Sequence, residues 1–361
     1  MEHIKNIEIK NFKSIRHQKI EDCRRVNVFI GYPNVGKSNI LEALSLFSID
    51  ESNLNFSSFI RIADLTTLFF NGEIERQLEV RINDKHRFIG RHKDDAILLE
   101  EQFESENTSF EKNDEQTLYR DNSDKVWIKK NFQLGVGKED KKNIFNYRNQ
   151  GAYTDDKLSS IRKYHFLKEP KYSNHGFSQL NYPYGTNIFN IIQSNEDILN
   201  SVFELFETYG LSFTYDNRLQ QYTILKKVGK KIFTIPYDLV ADTLQRVIFY
   251  KATILSNKDS ILLFEEPEAH MFPPYISKLT SDIILDKNDN QYFITTHSPF
   301  VINDFMEDLD VAELGVYAVG YEKVTGETII RRLTDKELQE IYQYGVDLFF
   351  NLEDYLKHAV S

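Results

Sequence analysis

The stretch Gly31-Tyr32-Pro33-Asn34-Val35-Gly36-Lys37-Ser38 matches the phosphate-binding loop pattern G-x-x-x-x-G-K-[ST] at every fixed position. The apolar run at 26–30 predicts a buried strand before the loop, and the apolar spacing of residues 39–47 predicts a helix after it. A strand, a loop and a helix in this order aim backbone N–H groups and a helix N-terminus at one point, which suits an anion. The alternative is an incidental glycine-rich turn.

This loop predicts a binding site for ATP and Mg²⁺. Lys37 is expected to reach the β- and γ-phosphates, and the Ser38 hydroxyl is expected to ligate Mg²⁺. The predicted nucleotide contacts of the loop are Gly31, Asn34, Gly36, Lys37, Ser38 and Asn39.

Composition limits the class of protein. The chain has 361 residues, of which 41% are hydrophobic and 27% charged, as is typical of a globular protein of two or three domains. A net charge of −11 argues against a protein that coats nucleic acid over its whole surface, but it leaves room for a local basic patch. One cysteine, Cys23, excludes a disulfide framework within the chain and indicates a cytoplasmic compartment. We expect no membrane association, because no apolar run approaches ~20 residues and the first residues lack the apolar core of a signal peptide.

Two adjacent carboxylates end a second predicted strand, Ile261–Phe264. The carboxyl ends of strands in a parallel sheet face the crevice where ligands bind. We therefore expect Glu265 to hold Mg²⁺ and Glu266 to orient and polarise the attacking water. The alternative is a pair of surface acids after a strand.

A third apolar strand, predicted over residues 291–296, ends in His297. A histidine at this edge could hydrogen-bond the γ-phosphate and sense its presence. The alternative is a structural histidine. The sequence thus predicts Glu266 and His297 as catalytic residues, with Ser38 and Glu265 as the metal ligands.

A long insertion separates the first motif from the other two. Residues 94–124 hold eleven acidic residues against two basic ones, so we expect a mobile loop or an exposed arm there. The predicted domains are a first lobe over 1–90, the insertion over 91–231 and a second lobe over 232–361. Apolar patterns also predict helices over 195–209, 239–255 and 335–344, and hairpins over 75–90, 211–225 and 316–330.

The order of these motifs resembles the ABC-type ATPase heads of the SMC/RecF/OLD group, and is most similar to AAA15/AAA21-type ATPases of bacterial anti-phage systems. Four stretches carry the resemblance: Asn11-Phe12-Lys13-Ser14-Ile15, residues 180–188, Pro267-Glu268-Ala269-His270 and Thr296-His297-Ser298-Pro299. The resemblance implies an α/β fold, namely a P-loop NTPase with an ABC-type head split by a long α+β insertion. It also implies a homodimer or higher oligomer that closes over ATP and Mg²⁺.

The sequence departs from the group in its signature helix. Residues 239–246 replace the usual serine- and glycine-containing segment, and the resemblance sets Ala241, Asp242 and Thr243 at the γ-phosphate of a partner subunit. We expect Asp242 to cap a helix that starts near Thr243, with Gln245 completing a capping box. The competing view is that Asp242 repels the phosphate and keeps hydrolysis slow.

Two further departures concern the nucleotide site. Glu265 stands where the group usually has Asp, which could shift the metal. No glutamine is convincingly placed to approach the γ-phosphate, and Asn71 is a weak substitute.

The resemblance implies a sensor or regulator subunit of an anti-phage system, with a separately encoded effector that we expect to be a nuclease. The alternative is a RecF-like repair ATPase that clamps DNA, so DNA stays open as a partner. A transporter ATPase is a third, weaker alternative, because the long insertion and the His-Ser-Pro ending argue against it.

Overall fold

A computed structural model describes residues 2–48, 56–93, 96–104, 117–120, 126–135, 160–168, 172–173, 178–216 and 221–357. These residues form three sheets with helices packed against them, an α/β fold as the sequence predicts. None of the helices in these ranges is long and apolar enough to cross a membrane.

The central sheet carries the motifs. Its strands lie in the order β16 (Thr328–Arg332), β15 (Leu314–Tyr321), β3 (Val26–Gly31), β14 (Gln291–Thr296), β13 (Ile261–Glu265) and β9 (Ile161–Tyr164). All neighbouring strands are parallel except β16, which runs antiparallel to β15. Strands β3 and β14 are buried at every position, as expected of strands covered on both faces of a parallel sheet.

The helices lie on both faces of this sheet. They are α1 (Lys37–Ser45), α2 (Ile188–Ser194), α3 (Glu196–Glu207), α4 (Asp242–Ser256), α5 (Pro273–Ile284), α6 (Pro299–Asp308), α7 (Asp335–Tyr344) and α8 (Leu352–Lys357). Helices α2 to α7 share one core with Val28 and Ile30 of β3. Helix α1 lies in the other core, where Phe29 stacks on Tyr317 with ring centroids 4.9 Å apart.

A seven-stranded antiparallel sheet covers the α1 side. Its order is β2 (Ile15–Ile20), β1 (Ile7–Phe12), β4 (Leu78–Ile82), β5 (His86–Lys93), β6 (Ala96–Glu104), β8 (Val126–Gly135) and β7 (Thr117–Arg120). The predicted hairpin over residues 75–90 is confirmed as β4 and β5. The three-domain division stays a prediction, and β5 runs through its proposed boundary at residue 90.

The expectation of a mobile acidic segment over 94–124 is wrong for residues 96–104. These residues form β6, and Ile97, Leu99 and Phe103 are buried. The prediction relied on the high number of acidic residues and overlooked that apolar residues recur with a period of two. This alternation gives β6 one face that packs on the core. The antiparallel register also sets residue 101 of β6 opposite residue 130 of β8. Residues 117–120 of the segment also form a strand, β7, and residues 94–95, 105–116 and 121–124 lie outside the described ranges.

A small antiparallel sheet precedes α4. It consists of β10 (Leu211–Asp216), β11 (Gln221–Val228) and β12 (Lys231–Pro236). The predicted hairpin over residues 211–225 is confirmed as β10 and β11, and the one over 316–330 as β15 and β16. The predicted helices are confirmed as α3, α4 and α7; α4 begins three residues after the start of its predicted range.

Helix α7 provides a test of the fold at its N-terminus. Thr334 and Glu337 form a capping box, in which the Thr334 hydroxyl accepts from the Glu337 N–H and the Glu337 carboxylate accepts from the Thr334 N–H. Thr334→Ala should lower the free energy of unfolding by about 0.5–2 kcal/mol, measured by denaturant titration. Thr334→Ser keeps the hydroxyl and should lose much less; equal losses in both variants would contradict the assignment of the cap.

Candidate nucleotide site

The phosphate-binding loop joins β3 to α1 with a backbone that requires glycine at one position. Gly36 has a φ of +97°, and a Cβ there would overlap the hydroxyls of Thr328 and Ser14. No side chain caps α1, and its first turn holds no acidic residue. The first N–H groups of the helix therefore stay available to an anion.

Lys37 lies over the loop with its ammonium group already ordered. Its Nζ donates to the carbonyl oxygens of Gly31 and Tyr32, each at 2.9 Å. Burial lowers the pKa of Lys37 to about 8, although the carboxylates of Glu266 and Glu268 act in the opposite direction. A phosphate would supply the negative charge that this buried ammonium lacks.

A cavity of about 630 Å³ opens beside this loop at the carboxyl edge of the central sheet. The predicted residues that line it are Asn34, Gly36, Lys37, Ser38, Asn39, Glu265, Glu266 and His297. Gly31 does not line the cavity, but its carbonyl holds Lys37. The structure therefore brings the three sequence motifs together in one place.

Glu265 lies beside Ser38, as a shared metal site requires. Burial would raise the pKa of Glu265, but Lys163, the Ser38 hydroxyl and Arg61 together hold it below the ordinary value, so the carboxylate is ionised. The Glu265 oxygens lie 3.3 Å from Lys163 Nζ and 3.1 Å from Arg61 Nη2. A carboxylate and a hydroxyl are the hard oxygen donors that fit Mg²⁺. The described residues hold no group of three or more His, Cys, Asp or Glu suited to a metal.

Glu266 and His297 face each other across two strand ends. His297 Nε2 lies 3.4 Å from Glu266 Oε1, and both side chains are partly exposed to the cavity. Burial and the nearby Lys37 lower the pKa of His297, and Glu266 partly offsets this. Glu266 also has a φ of +44°, in the left-handed region that a non-glycine residue seldom adopts. Such strained backbone is typical of functional sites.

Charged residues that the sequence analysis missed surround Glu265. Arg61 lines the cavity and bridges Glu265 to Glu42, whose side chain is fully buried on α1. Lys13 forms the second ion pair of Glu42. Lys163, on β9, is also buried and donates to the carbonyl of Phe59 at 3.0 Å. No periodicity in the sequence marks these residues, because their partners lie far away along the chain.

His165 is another residue that the sequence analysis missed. The parallel register pairs Tyr164 with Phe264, so the residue after β9 stands level with Glu265 and lines the same cavity. Burial lowers the pKa of the His165 imidazole. Asn71, the weak substitute for a glutamine, does not line this cavity and lies instead in a turn with a φ of +50°.

The prediction that Asp242 caps the signature helix is wrong. Ala241 holds the N-cap position without a side-chain bond, and Asp242 is the first helical residue. Its carboxylate accepts instead from Arg246 Nε at 2.8 Å, one turn along the helix. Gln245 is buried and donates to the carbonyl of Val240 at 2.9 Å. The helix begins one residue earlier than predicted, so Asp242 is itself helical and its carboxylate meets Arg246 one turn along instead of the first N–H groups.

The start of α4 lies outside the cavity of its own chain. Ala241, Asp242 and Thr243 do not line the cavity, whereas Arg246, further along the helix, does. The Thr243 hydroxyl donates to the carbonyl of His270 at 2.8 Å, which ties α4 to the turn after β13. The proposed contact of these residues with the nucleotide of a partner subunit stays a prediction.

Comparisons with known proteins bear on the fold and the family. The solved structure described as "Crystal structure of the SmcHead bound to the C-winged helix domain of ScpA" superposes with a TM-score of 0.50 and 14% identity, covering 94% of this chain and 100% of that one. This likeness shows the fold. Together with the loop and the strand ends, it defines an ABC-type ATPase of the SMC/RecF group. Residues 26–303 match the family AAA_21, described as "AAA domain, putative AbiEii toxin, Type IV TA system", and the chain belongs to this family.

Curated relatives match over shorter segments. The chain is 46% identical over 59 residues to the "Uncharacterized protein MJECL10" of Methanocaldococcus jannaschii, which is 16% of this chain and 26% of that protein. It is 40% identical over 50 residues to the "DNA replication and repair protein RecF" of Thermoanaerobacter sp., which is 14% of each chain. The matched segments thus span about a quarter or less of these relatives.

Removal of the Lys37 ammonium tests the site. Lys37→Ala should abolish measurable ATP binding in a calorimetric titration, because the phosphates lose their buried cation. The free energy of unfolding should change by about 1–3 kcal/mol, as for two lost hydrogen bonds to the loop. Lys251→Ala, which removes a lysine paired with Asp282 on α5, should leave ATP affinity unchanged. Unchanged affinity in Lys37→Ala would contradict the site.

Proposed function

We propose that this chain is an Mg²⁺-dependent ATPase that dimerises through its nucleotide sites. The observation that carries the proposal is the convergence of Lys37, Ser38, Glu265, Glu266 and His297 on one cavity at the edge of the parallel sheet. These residue types in one cavity suit phosphoryl transfer to water better than any other reaction that the sequence suggests.

The proposed mechanism gives each residue one task. The loop N–H groups and Lys37 hold the β- and γ-phosphates, and Ser38 and Glu265 would hold Mg²⁺, which neutralises phosphate charge when bound. Glu266 orients a water in line with the γ-phosphate and accepts its proton. The His297 imidazole, 3.4 Å from Glu266, donates to the γ-phosphate oxygen that gains charge.

Dimerisation is supported by exposed apolar side chains beside the start of α4. Leu239 and Phe272 are 73% and 66% exposed. Leu239 precedes Ala241 by two residues, and Phe272 follows by two residues His270, whose carbonyl accepts from the Thr243 hydroxyl. A second subunit that brings its nucleotide to this helix start would cover both side chains. The helix N-terminus would then meet the γ-phosphate, with the Asp242 charge already paired to Arg246.

We further propose that the chain senses or regulates within an anti-phage system and acts on a separately encoded effector, a nuclease. The family description names a toxin and a Type IV system. The superposed SMC head is bound to a domain of ScpA, so a head of this fold can carry a partner protein. We propose a cytoplasmic location because Cys23 is the one cysteine of the chain. Loss of phage protection in cells that carry Lys37→Ala, with the neighbouring genes intact, tests this role.

Glu266→Gln should separate binding from chemistry. The amide keeps the shape but accepts a proton poorly, so hydrolysis should fall by about 100-fold or more while ATP affinity holds. Light scattering with ATP and Mg²⁺ should then find more dimer than in the wild-type chain. If Glu265→Gln traps the dimer and Glu266→Gln does not, the two carboxylates have exchanged roles.

A second candidate function is a RecF-like DNA clamp, and the hairpin of β11 and β12 favours it. Lys226, Lys227, Lys230 and Lys231 are all exposed, and no acidic residue lies between Asp216 and Asp238. The register pairs Lys226 with Phe233 and Lys227 with Ile232, so each face of the ribbon carries a cation beside an exposed apolar residue. A two-stranded ribbon of this kind fits the major groove of DNA.

Neutralisation of the hairpin tests the second function. Lys230→Gln/Lys231→Gln should weaken binding to a DNA duplex about tenfold in fluorescence anisotropy. The slope of the logarithm of the binding constant against the logarithm of the salt concentration should become shallower by about two. The control Lys287→Gln/Lys323→Gln removes two exposed lysines elsewhere and should change neither quantity. Equal effects of the two double variants, or no DNA binding by the wild-type chain, would contradict the DNA clamp.

A further inference from the structure

A buried carboxylate lies directly behind the two proposed catalytic side chains. Glu268 is 7% exposed and follows Glu266 by two residues in the turn after β13. Its Oε1 accepts from the Thr296 hydroxyl at 2.5 Å and from the His297 N–H at 3.2 Å. Thr296 Oγ1 in turn accepts from the Ser298 N–H at 2.9 Å. One side chain thus joins the turn that holds Glu266 to the segment that holds His297.

The geometry shows why this link matters. The ladder between β13 and β14 ends with Glu265 opposite Thr295, and the Glu266 N–H donates to the Thr295 carbonyl at 3.0 Å. Beyond this point the described residues show no backbone–backbone hydrogen bond between His297 and the turn after β13. The Glu268 side chain connects the two segments past the end of the ladder, through the backbone N–H of His297, whose imidazole faces Glu266.

The burial of the Glu268 carboxyl group costs folding free energy, so stability alone does not explain it. Glu268 Oε2 is buried and has no hydrogen-bond partner among the residues that the structure describes, and burial raises the pKa of the carboxyl group. An apolar residue would avoid an unpaired buried oxygen. The carboxyl group does, however, offer an acceptor to two donors at once, a hydroxyl and a backbone N–H, which an apolar side chain cannot do.

We propose that Glu268 is a positioning residue that fixes the His297 imidazole relative to the Glu266 carboxylate. It acts through the backbone of residue 297 and through Thr296, without contact to the reacting atoms. The observed separation of 3.4 Å between His297 Nε2 and Glu266 Oε1 depends on this link.

The kinetic test rests on the proposed ATPase function. Glu268→Ala should lower kcat by about 10- to 100-fold, the scale of an ångström-level misplacement, while the Kd for ATP changes less than about twofold. Glu268→Gln keeps an oxygen acceptor at the same reach and should recover most of the kcat. Asp282→Ala removes another partly buried carboxylate, paired with Lys251 and outside the cavity, and should leave kcat unchanged.

A second measurement is independent of hydrolysis. The His297 N–H should exchange with solvent slowly in the wild-type chain and in Glu268→Gln, and about tenfold faster in Glu268→Ala, as followed by hydrogen–deuterium exchange of residues 294–300. Asp282→Ala should match the wild type in this segment. If Glu268→Ala does not fold, Thr296→Val removes one donor to the same carboxylate and should lower kcat with unchanged Kd.

The outcomes separate the two claims. A wild-type chain that binds ATP but does not hydrolyse it overturns the proposed function, while the exchange of the His297 N–H still decides the role of Glu268. Unchanged kcat and unchanged exchange in Glu268→Ala overturn the positioning role. Equal losses in Glu268→Ala and Asp282→Ala overturn it as well, because the effect would then be one of general stability.

Discussion

The parallel register of three neighbouring strands is the constraint on which the site depends. Ile30 of β3 is level with Thr296 of β14, and Glu265 of β13 is level with Thr295. The residues that follow these positions, the loop, His297 and Glu266, therefore leave the sheet at one height. A shift by one residue would turn every side chain of a strand to the other face and separate these groups. The stacked rings of Phe29 and Tyr317 help to hold this register from within the core.

Charge balance is the second feature of the site. Lys37, Lys163 and Glu42 are buried ionisable groups, and each lies beside a carbonyl or an opposite charge. Because buried charge is costly unless it is paired, the network of Glu42, Arg61 and Glu265 prepares an ionised carboxylate before any metal binds. Arrival of the substrate then adds negative charge where Lys37 has only carbonyl partners. The proposed site is thus prepared for a triphosphate by the fold itself.

Local patterns predicted the parts of this fold that depend on nearby residues. The loop, the apolar strands before Glu265 and His297, and the helices α3 and α7 follow from spacing and glycine positions within a few residues. Helix α4 was predicted as well, but the ion pair between Asp242 and Arg246 was not. Gln245 and Arg246 follow one another, so the sequence offers Asp242 both a capping-box partner and an i,i+4 ion-pair partner, and only the position of the first helical residue separates the two.

Contacts between distant segments were outside the reach of those patterns. Lys163, Arg61 and His165 meet Glu265 or its cavity only because β9 and the segment after α1 pack beside β13. The burial of β6 was missed for a related reason: its acidic residues dominate the composition, but its apolar residues face the core of the antiparallel sheet.

The central claim is that Ser38 and Glu265 hold a metal next to the phosphates bound by Lys37. Pulsed EPR with Mn²⁺ in place of Mg²⁺, in the presence of a non-hydrolysable ATP analogue, tests it most directly. The wild-type chain should give ³¹P couplings from Mn²⁺ bound to the analogue, and Glu265→Ala should weaken Mn²⁺ binding about tenfold or more while the analogue still binds. Mn²⁺ affinity and ³¹P couplings that are the same in both proteins would contradict the account.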